Sequence, residues 1–406
     1  MTNYFVEGVT LFSIVLILVG LFAKKMRNSI NWRAMSTPLS SIIGSGFIII
    51  APLLWVLVGK WSLFFLLGII VLSYQIGDVM RFNIIHSEPI IQSGKMFGTF
   101  KTLNKMSYFS LGIAYLVSIA FYVHILSAFT LSLFGIHDEV SKDIMSTLVL
   151  LIIGILGYIR GISHLEFIGR IAVNIKIALV CSVCIGVFTY SWHNLQFVHL
   201  TAPSDKVITF NSLCKIAGIL LLVQGFETSR YLGDRYGSHL RVQSMKYAQI
   251  FSSLIYIFFV WCMMFVLGDT TSVSETTIID VLSKFSWLLP LVLVCGGVFS
   301  QMSSALADST GCSGLLSESV NNKIKINQGY LLLSFVAIIL IWTTNVLENV
   351  ALASRLFAFY YLMQSLESLY IMLKYREDFS IMRFIKFVFV ALSMLFVCIF
   401  AQSAGE

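Results

Sequence analysis

The chain has 406 residues, of which 58% are hydrophobic and 12% are Asp, Glu, Lys or Arg. Soluble domains carry about 25% charged residues, so a mean hydropathy of +0.88 excludes a soluble enzyme. The apolar residues are parcelled into runs of roughly 20 rather than the alternation of an outer-membrane barrel, which predicts an all-α polytopic membrane protein. The seven Cys lie mostly inside apolar runs without metal-ligand spacing and read as small packed side chains, so neither a disulfide scaffold nor a metal centre is expected.

In chain order the apolar runs fall at 4–23, 38–58, 62–80, 108–134, 144–161, 168–191, 210–229, 246–268, 286–312, 328–344, 348–373 and 383–401, about twelve transmembrane helices. The first lacks a basic segment before it and has Lys24 and Lys25 after it, so it is expected to stay as a helix and not to act as a signal peptide. The stretch 83–105, with Pro89, Gly94 and Gly98 among lysines, reads as a loop or interfacial helix. Alternating the connections puts most basic residues on one side and Lys60, Lys142, Lys206 and Lys284 on the other. By the positive-inside bias, both termini are then expected outside, in a bacterial inner membrane. The net charge of +7 is mainly a topology signal, with attraction to acidic lipid and no nucleic-acid partner implied.

Two runs carry breaks. The second begins Ser36-Thr37-Pro38, expected as a helix start, and continues Ile43-Gly44-Ser45-Gly46-Phe47 with Pro52 beyond. The seventh reads Val223-Gln224-Gly225-Phe226-Glu227-Thr228-Ser229-Arg230, a glycine between an amide and a carboxylate at membrane depth. Close helix packing is the plainer use of Gly44 and Gly46. The two broken runs are five spans apart and point in opposite directions, however, which is the arrangement of inverted five-helix repeats that hold solute and ion where helices unwind. The expected division is an extra N-terminal helix (1–35), two five-helix repeats (36–200 and 201–376) and an extra C-terminal helix (377–406).

Ile43-Gly44-Ser45-Gly46-Phe47 with Pro52 resembles the first-helix signature of the amino acid–polyamine–organocation transporter superfamily, and Gln224-Gly225-Phe226-Glu227 resembles its sixth-helix Gly-Phe-Glu motif. The resemblance implies the leucine-transporter-type fold, with substrate between the core's first and sixth helices and a coupling ion between its first, fifth and eighth. The leading helix looks more like the sodium–solute symporter branch, and Phe47-Ile48 stands where amino-acid permeases usually read Ile-Phe.

Ionisable residues within spans complete the candidate site. Lys176 and Asp308 are expected to approach one another at the ion-site level, where the ammonium would stand in for sodium; snorkelling is the alternative for Lys176, as for Lys215. Ser304, Ser309 and Thr310, with carbonyls freed near Gly44, supply the all-oxygen setting of a hard cation instead, so H+ and Na+ both stand as coupling ion. Glu227 is expected to brace the break or pair with Arg230 at i+3, and Glu348 with Arg355 to share a face as a gate or a structural pair. Asp78–Arg81 reads as an interfacial pair and His124 as a packed neutral ring. Tyr122 and Phe226 are candidate lids. The substrate-binding set is therefore Gly44, Ser45, Gly46, Tyr122, Gln224, Gly225, Phe226 and Glu227, and the ion-coupling set Lys176, Asp308, Ser309 and Thr310, with no metal or cofactor.

These features favour a secondary transporter for a small polar solute, an amino acid or related amine, whose carboxylate would meet the helix end at Gly44–Gly46 and whose amine would meet Gln224 and Glu227. A nucleotide-driven pump lacks its phosphate loop, and an intramembrane enzyme lacks a paired catalytic motif. A non-transporting sensor on a transporter scaffold is the alternative.

Overall fold

A computed structural model describes residues 2–404 apart from 45, 95–97, 161, 194–207, 234, 269, 320–324 and 376–378. The helices in chain order are α1 Thr2–Phe22, α2 Lys24–Asn28, α3 Ile30–Gly44, α4 Phe47–Val58, α5 Ser62–Gln92, α6 Gly98–Ser132, α7 Glu139–Arg160 and α8 Ile162–His193. They continue as α9 Phe210–Gly218, α10 Ser238–Met264, α11 Thr277–Ser283, α12 Leu288–Ser319, α13 Ile326–Thr343, α14 Val346–Tyr375 and α15 Ile381–Phe400, with short 3-10 segments at Leu220–Val223 and Phe226–Leu232. Among the described residues, ten helices are long and apolar enough to cross a membrane. The sequence expectation of twelve spans counts α4 apart from α5 and includes the segmented run from Phe210 to Leu232.

Burial sorts these helices by position. Helix α6 is the most enclosed, followed by α12, while α1 and α15 expose most of their surface. Helix α6 packs extensively on α12 and α14, and α12 in turn on α8. Helix α1 lies along α8 and turns Leu11, Phe12, Val15, Leu16 and Val19 outward, an apolar surface suited to lipid. Its buried stripe carries Thr10, which meets α8 at Gly186. At the other end of the chain, α15 covers α14.

Two boundaries differ from the sequence reading. Helix α3 begins at Ile30, so Ser36 and Pro38 are interior: the Ser36 hydroxyl donates to the Arg33 carbonyl at 2.8 Å, and Ser29 receives the Trp32 amide at 3.3 Å in the capping role. Pro38 only removes the donor for the Ala34 carbonyl, and the helix continues on the strength of its buried face. Helix α5 runs on to Gln92, with Pro89 in its last turn, and does not become a loop near residue 83. Its polar end has partners: Asn83 donates to the carbonyl and side chain of Gln364 at 2.9 and 2.8 Å, and Glu88 pairs with Arg241 at 2.6 Å. At the start of α7, Asp138 receives the Ser141 amide at 2.9 Å, and the Ser141 hydrogen bonds hold its carboxyl below the usual carboxylate range.

Small residues set the spacing of α7 and α13. A side chain at Gly154 would lie 2.7 Å from the Ser334 hydroxyl and 3.0 Å from its Cβ. We expect Gly154→Val to overpack this crossing at a cost of about 1–3 kcal/mol, read as a lower Tm in detergent; an unchanged Tm would show that the two helices can separate freely.

Candidate functional site

The two glycine-marked runs break where the sequence places the breaks. Helix α3 ends at Gly44, and Gly46 opens α4 from the left-handed region at φ 86°. Ser45 lies outside the described residues. Helix α9 ends at Gly218, and Gly225 takes φ 119° between the two 3-10 segments. An L side chain rarely adopts such dihedrals, so glycine is the residue that permits both turns. The breaks also touch: a Cβ on Gly225 would lie 2.6 Å from the Ser41 carbonyl carbon and 2.7 Å from the Ile42 amide nitrogen. Gly44 is equally close to α12, where a Cβ would overlap Ser304, and one on Gly46 would meet Leu222 at 2.5 Å and Phe121 at 3.0 Å. In this arrangement the glycines seat helix against helix.

Breaking a helix inside a membrane releases carbonyls that must find donors. Here the donors are side chains from surrounding helices. Ser300 of α12 donates to the Ile43 carbonyl at 3.0 Å, and Ser304 to that of Ser40 at 3.3 Å. Tyr256 of α10 donates to the Ile42 carbonyl at 2.8 Å and also reaches that of Leu222, so one hydroxyl serves both breaks. Ser73 of α5 donates to Val223 at 3.2 Å, and Ser354 of α14 to Gly218 at 2.8 Å.

One donor is a cation. Lys176 of α8 is fully buried, and its ammonium donates to the Ser40 carbonyl, to the Ser40 hydroxyl at 3.4 Å and to the Ser303 hydroxyl at 3.2 Å. It therefore sits among α3, α8 and α12 and does not snorkel. It is not paired with Asp308, because the contacts of the two residues are different. Ser309 and Thr310 also turn away from it: they donate to Ala305 and Leu306 carbonyls of their own helix at 2.6 and 2.9 Å, and Thr310 receives Tyr330 from α13 at 3.2 Å. The hydroxyls that reach the ammonium belong to Ser40, about one turn before Gly44, and to Ser303, the residue before Ser304.

Asp308 and Glu227 form a second group. Asp308 is fully buried on α12, with its carboxylate toward the Ser41 side chain and within electrostatic reach of Glu227. Glu227 receives the Gly225 amide at 3.0 Å and the Tyr361 hydroxyl at 2.6 Å, so it braces the break from within. Tyr122 of α6 lies within electrostatic reach of both carboxylates. Phe226 stacks on Tyr361 at 5.5 Å, and Gln224 is fully buried beside them in sequence. The sequence signal for Tyr361 and Tyr256 is absent, since both lie in aromatic-rich runs with nothing to single them out.

Other expected pairs resolve differently. Arg230 is not paired with Glu227; it turns to Gln364 and to Glu367 and Glu88, at 3.7 and 3.8 Å, while Arg241 donates to the Arg230 carbonyl at 2.8 Å. The short 3-10 segment after the break is thereby tied to α5, α10 and α14. Glu348 caps its own helix start through the Asn345 amide at 3.1 Å, and Arg355 donates to the Ala401 carbonyl at 2.8 Å, so those two form no gate. Asp78–Arg81 is present at 3.7 Å, strengthened by Lys386 at 2.6 Å. His124 is buried, as expected, yet lies 3.5 Å from Asp143 and 3.7 Å from Glu139.

Tyr256→Phe should destabilise the protein by about 1–3 kcal/mol, since it withdraws the donor from buried carbonyls at both breaks. A fall in Tm in detergent checks this, and an unchanged Tm would mean that the carbonyls have another source of hydrogen bonds. Known proteins agree with the geometry. A family model described as APC superfamily transporter matches residues 24–401. An uncharacterized protein of Aquifex aeolicus (strain VF5) is 37% identical over 396 residues, 96% of each chain. Among solved structures, a Na+-coupled sialic acid symporter in its substrate-bound outward-open state is 11% identical, with a TM-score of 0.54 over 99% of both chains. The manganese transporter of Eremococcus coleocola, as a mutant, is 12% identical, with a TM-score of 0.58 over 91% of this chain and 87% of that one. Both share the leucine-transporter-type fold, and at these identities the likeness concerns fold alone. With its fold, its two broken helices and a matching region that covers nearly the whole chain, the protein belongs to the APC superfamily of transporters.

Proposed function

We propose that this transporter moves a small polar solute, an amino acid or related amine, by alternating access, and that proton movement at Lys176 couples the transport. The observation that carries the coupling is the place of the ammonium: it donates to a carbonyl and a hydroxyl of α3 and a hydroxyl of α12, oxygens of the kind a hard cation would use. A side chain that fills this position as a cation, and leaves a different hydrogen-bond set as an amine, links a proton to the contact between α3, α8 and α12. Of the two coupling ions open at the sequence level, H+ fits this better than Na+. Symport is the direction we infer.

The same reading treats the chain as twelve crossings in a bacterial inner membrane, with repeats at 36–200 and 201–376, flanking helices at 1–35 and 377–406, and both termini outside. Supporting it are the matching breaks at Gly44–Gly46 and Gly225 and the peripheral positions of α1 and α15.

In proteoliposomes, solute accumulation should follow an inward proton gradient, be indifferent to sodium at fixed pH and be lost in Lys176→Met, which should still bind solute. Sodium-dependent accumulation that survives Lys176→Ala would overturn the proton route. Tags at either terminus should be cleaved by protease added outside intact spheroplasts; protection of both would reverse the orientation.

A further inference from the structure

Helix α9, the half-helix that leads into the second break, has only nine residues, a length that is marginal without tertiary support. The segment that follows α15 supplies an anchor for it. Ala401 is fully buried while the Gln402 side chain is exposed, so Gln402 makes its contacts through the main chain. Its amide donates to the Cys214 carbonyl at 3.0 Å, and its carbonyl lies so close to Gly218 that a Cβ there would overlap it. Cys214 and Gly218 are about one turn apart, so the segment runs across a single face of α9. Gly218 is not among the glycines with positive φ, so the helix itself does not call for glycine at this position; the close approach of Gln402 does.

The anchor is fixed in turn to neighbouring helices. Arg355 of α14 donates to the Ala401 carbonyl at 2.8 Å through Nε and again through Nη2. Ser354, the residue before it, donates to the Gly218 carbonyl at 2.8 Å. Two successive residues of α14 therefore hold the terminal segment and the end of the half-helix that it crosses. At the other end of α9, Phe210 meets Phe396 and Phe400 of α15 at 6.1 and 5.7 Å. Helix α15 and the residues after it thus grip α9 along its length.

We propose that residues 401–403 are a strap that holds α9 against α14 and α15, and that its release frees α9 to swing at the second break. The hold consists of main-chain contacts and one arginine, so it can be undone without repacking the core. This goes beyond the transport reading and depends neither on the solute nor on Lys176.

The test is alkylation of the native Cys214 by N-ethylmaleimide in the purified full-length protein, located by peptide mass spectrometry. Cys184 and Cys262, buried against one another on α8 and α10, mark global unfolding in the same experiment. Gly218→Ala, which displaces the strap but suits a helix, and Arg355→Gln, which removes its holder, should each speed Cys214 labelling about 10-fold, the scale of one or two lost buried hydrogen bonds. Labelling of Cys184 and Cys262 should not change. The double variant should add little to either single one, because both free the same segment. Gln402→Ala keeps the main-chain contacts and should label like the native chain. Gln402→Pro removes the amide donor, follows Ala401 at φ -57° and ψ 133°, a conformation that suits the residue before a proline, and serves if Arg355→Gln does not fold. Unchanged Cys214 labelling in Gly218→Ala, Arg355→Gln and Gln402→Pro would overturn the strap. So would a parallel rise at Cys184 and Cys262, which would make the segment part of the global packing. Either result would leave the transport reading intact, since labelling does not measure flux.

Discussion

Everything near the centre of this protein depends on how the carbonyls of two interrupted helices are satisfied. A continuous membrane helix closes its own hydrogen bonds, and each interruption hands the obligation to neighbours. Ser300 and Ser304 from α12, Ser73 from α5, Ser354 from α14 and Tyr256 from α10 take it up, and Lys176 from α8 adds a charge. The donors therefore come from the helices that surround the breaks, and any movement of the broken segments must exchange those bonds for others. That is a direct link between the local chemistry of a carbonyl and a large-scale change of shape.

Charge is distributed with the same economy. Arg230, Arg241, Glu88 and Glu367 form a tightly connected set that binds the segment after the second break to α5, α10 and α14. Asp308 and Glu227, neither of them in that set, each keep one oxygen without a hydrogen-bond partner. That contrast separates the ion pairs that tie helices together from two carboxylates with no lysine or arginine partner among the described residues.

Much of this was legible in the sequence. Glycines 46 and 225 marked the breaks because no other residue takes left-handed dihedrals so readily, Gly44 leaves room for Ser304, and an isolated charge in an apolar run marked Lys176, Asp308 and Glu227. Partner identity was not legible. Lys176 and Asp308 lie on different helices whose rotation about their axes is set by packing, so depth alone suggested a pair that the structure does not make. Hydroxyls were a similar case: α12 carries Ser300, Ser303, Ser304, Ser309 and Thr310, and only the face turned to α3 distinguishes the first three. Tyr256 and Tyr361 left no trace in the sequence because an aromatic in a membrane span is ordinary until its hydroxyl finds a target. The start of α3 was misplaced because Ser-Thr-Pro is a good helix opening locally, whereas the buried face of the helix begins earlier.

The Tyr256 hydroxyl has one proton and two acceptors, the carbonyls of Ile42 and Leu222. It can donate fully to only one at a time. If either broken helix draws back, the hydroxyl is free to donate wholly to the other carbonyl, and the bond that remains strengthens as the first is lost. Parting the two breaks therefore costs less than a full hydrogen bond, and the tyrosine acts as a hinge pin shared by two leaves, holding both when they meet and following whichever stays.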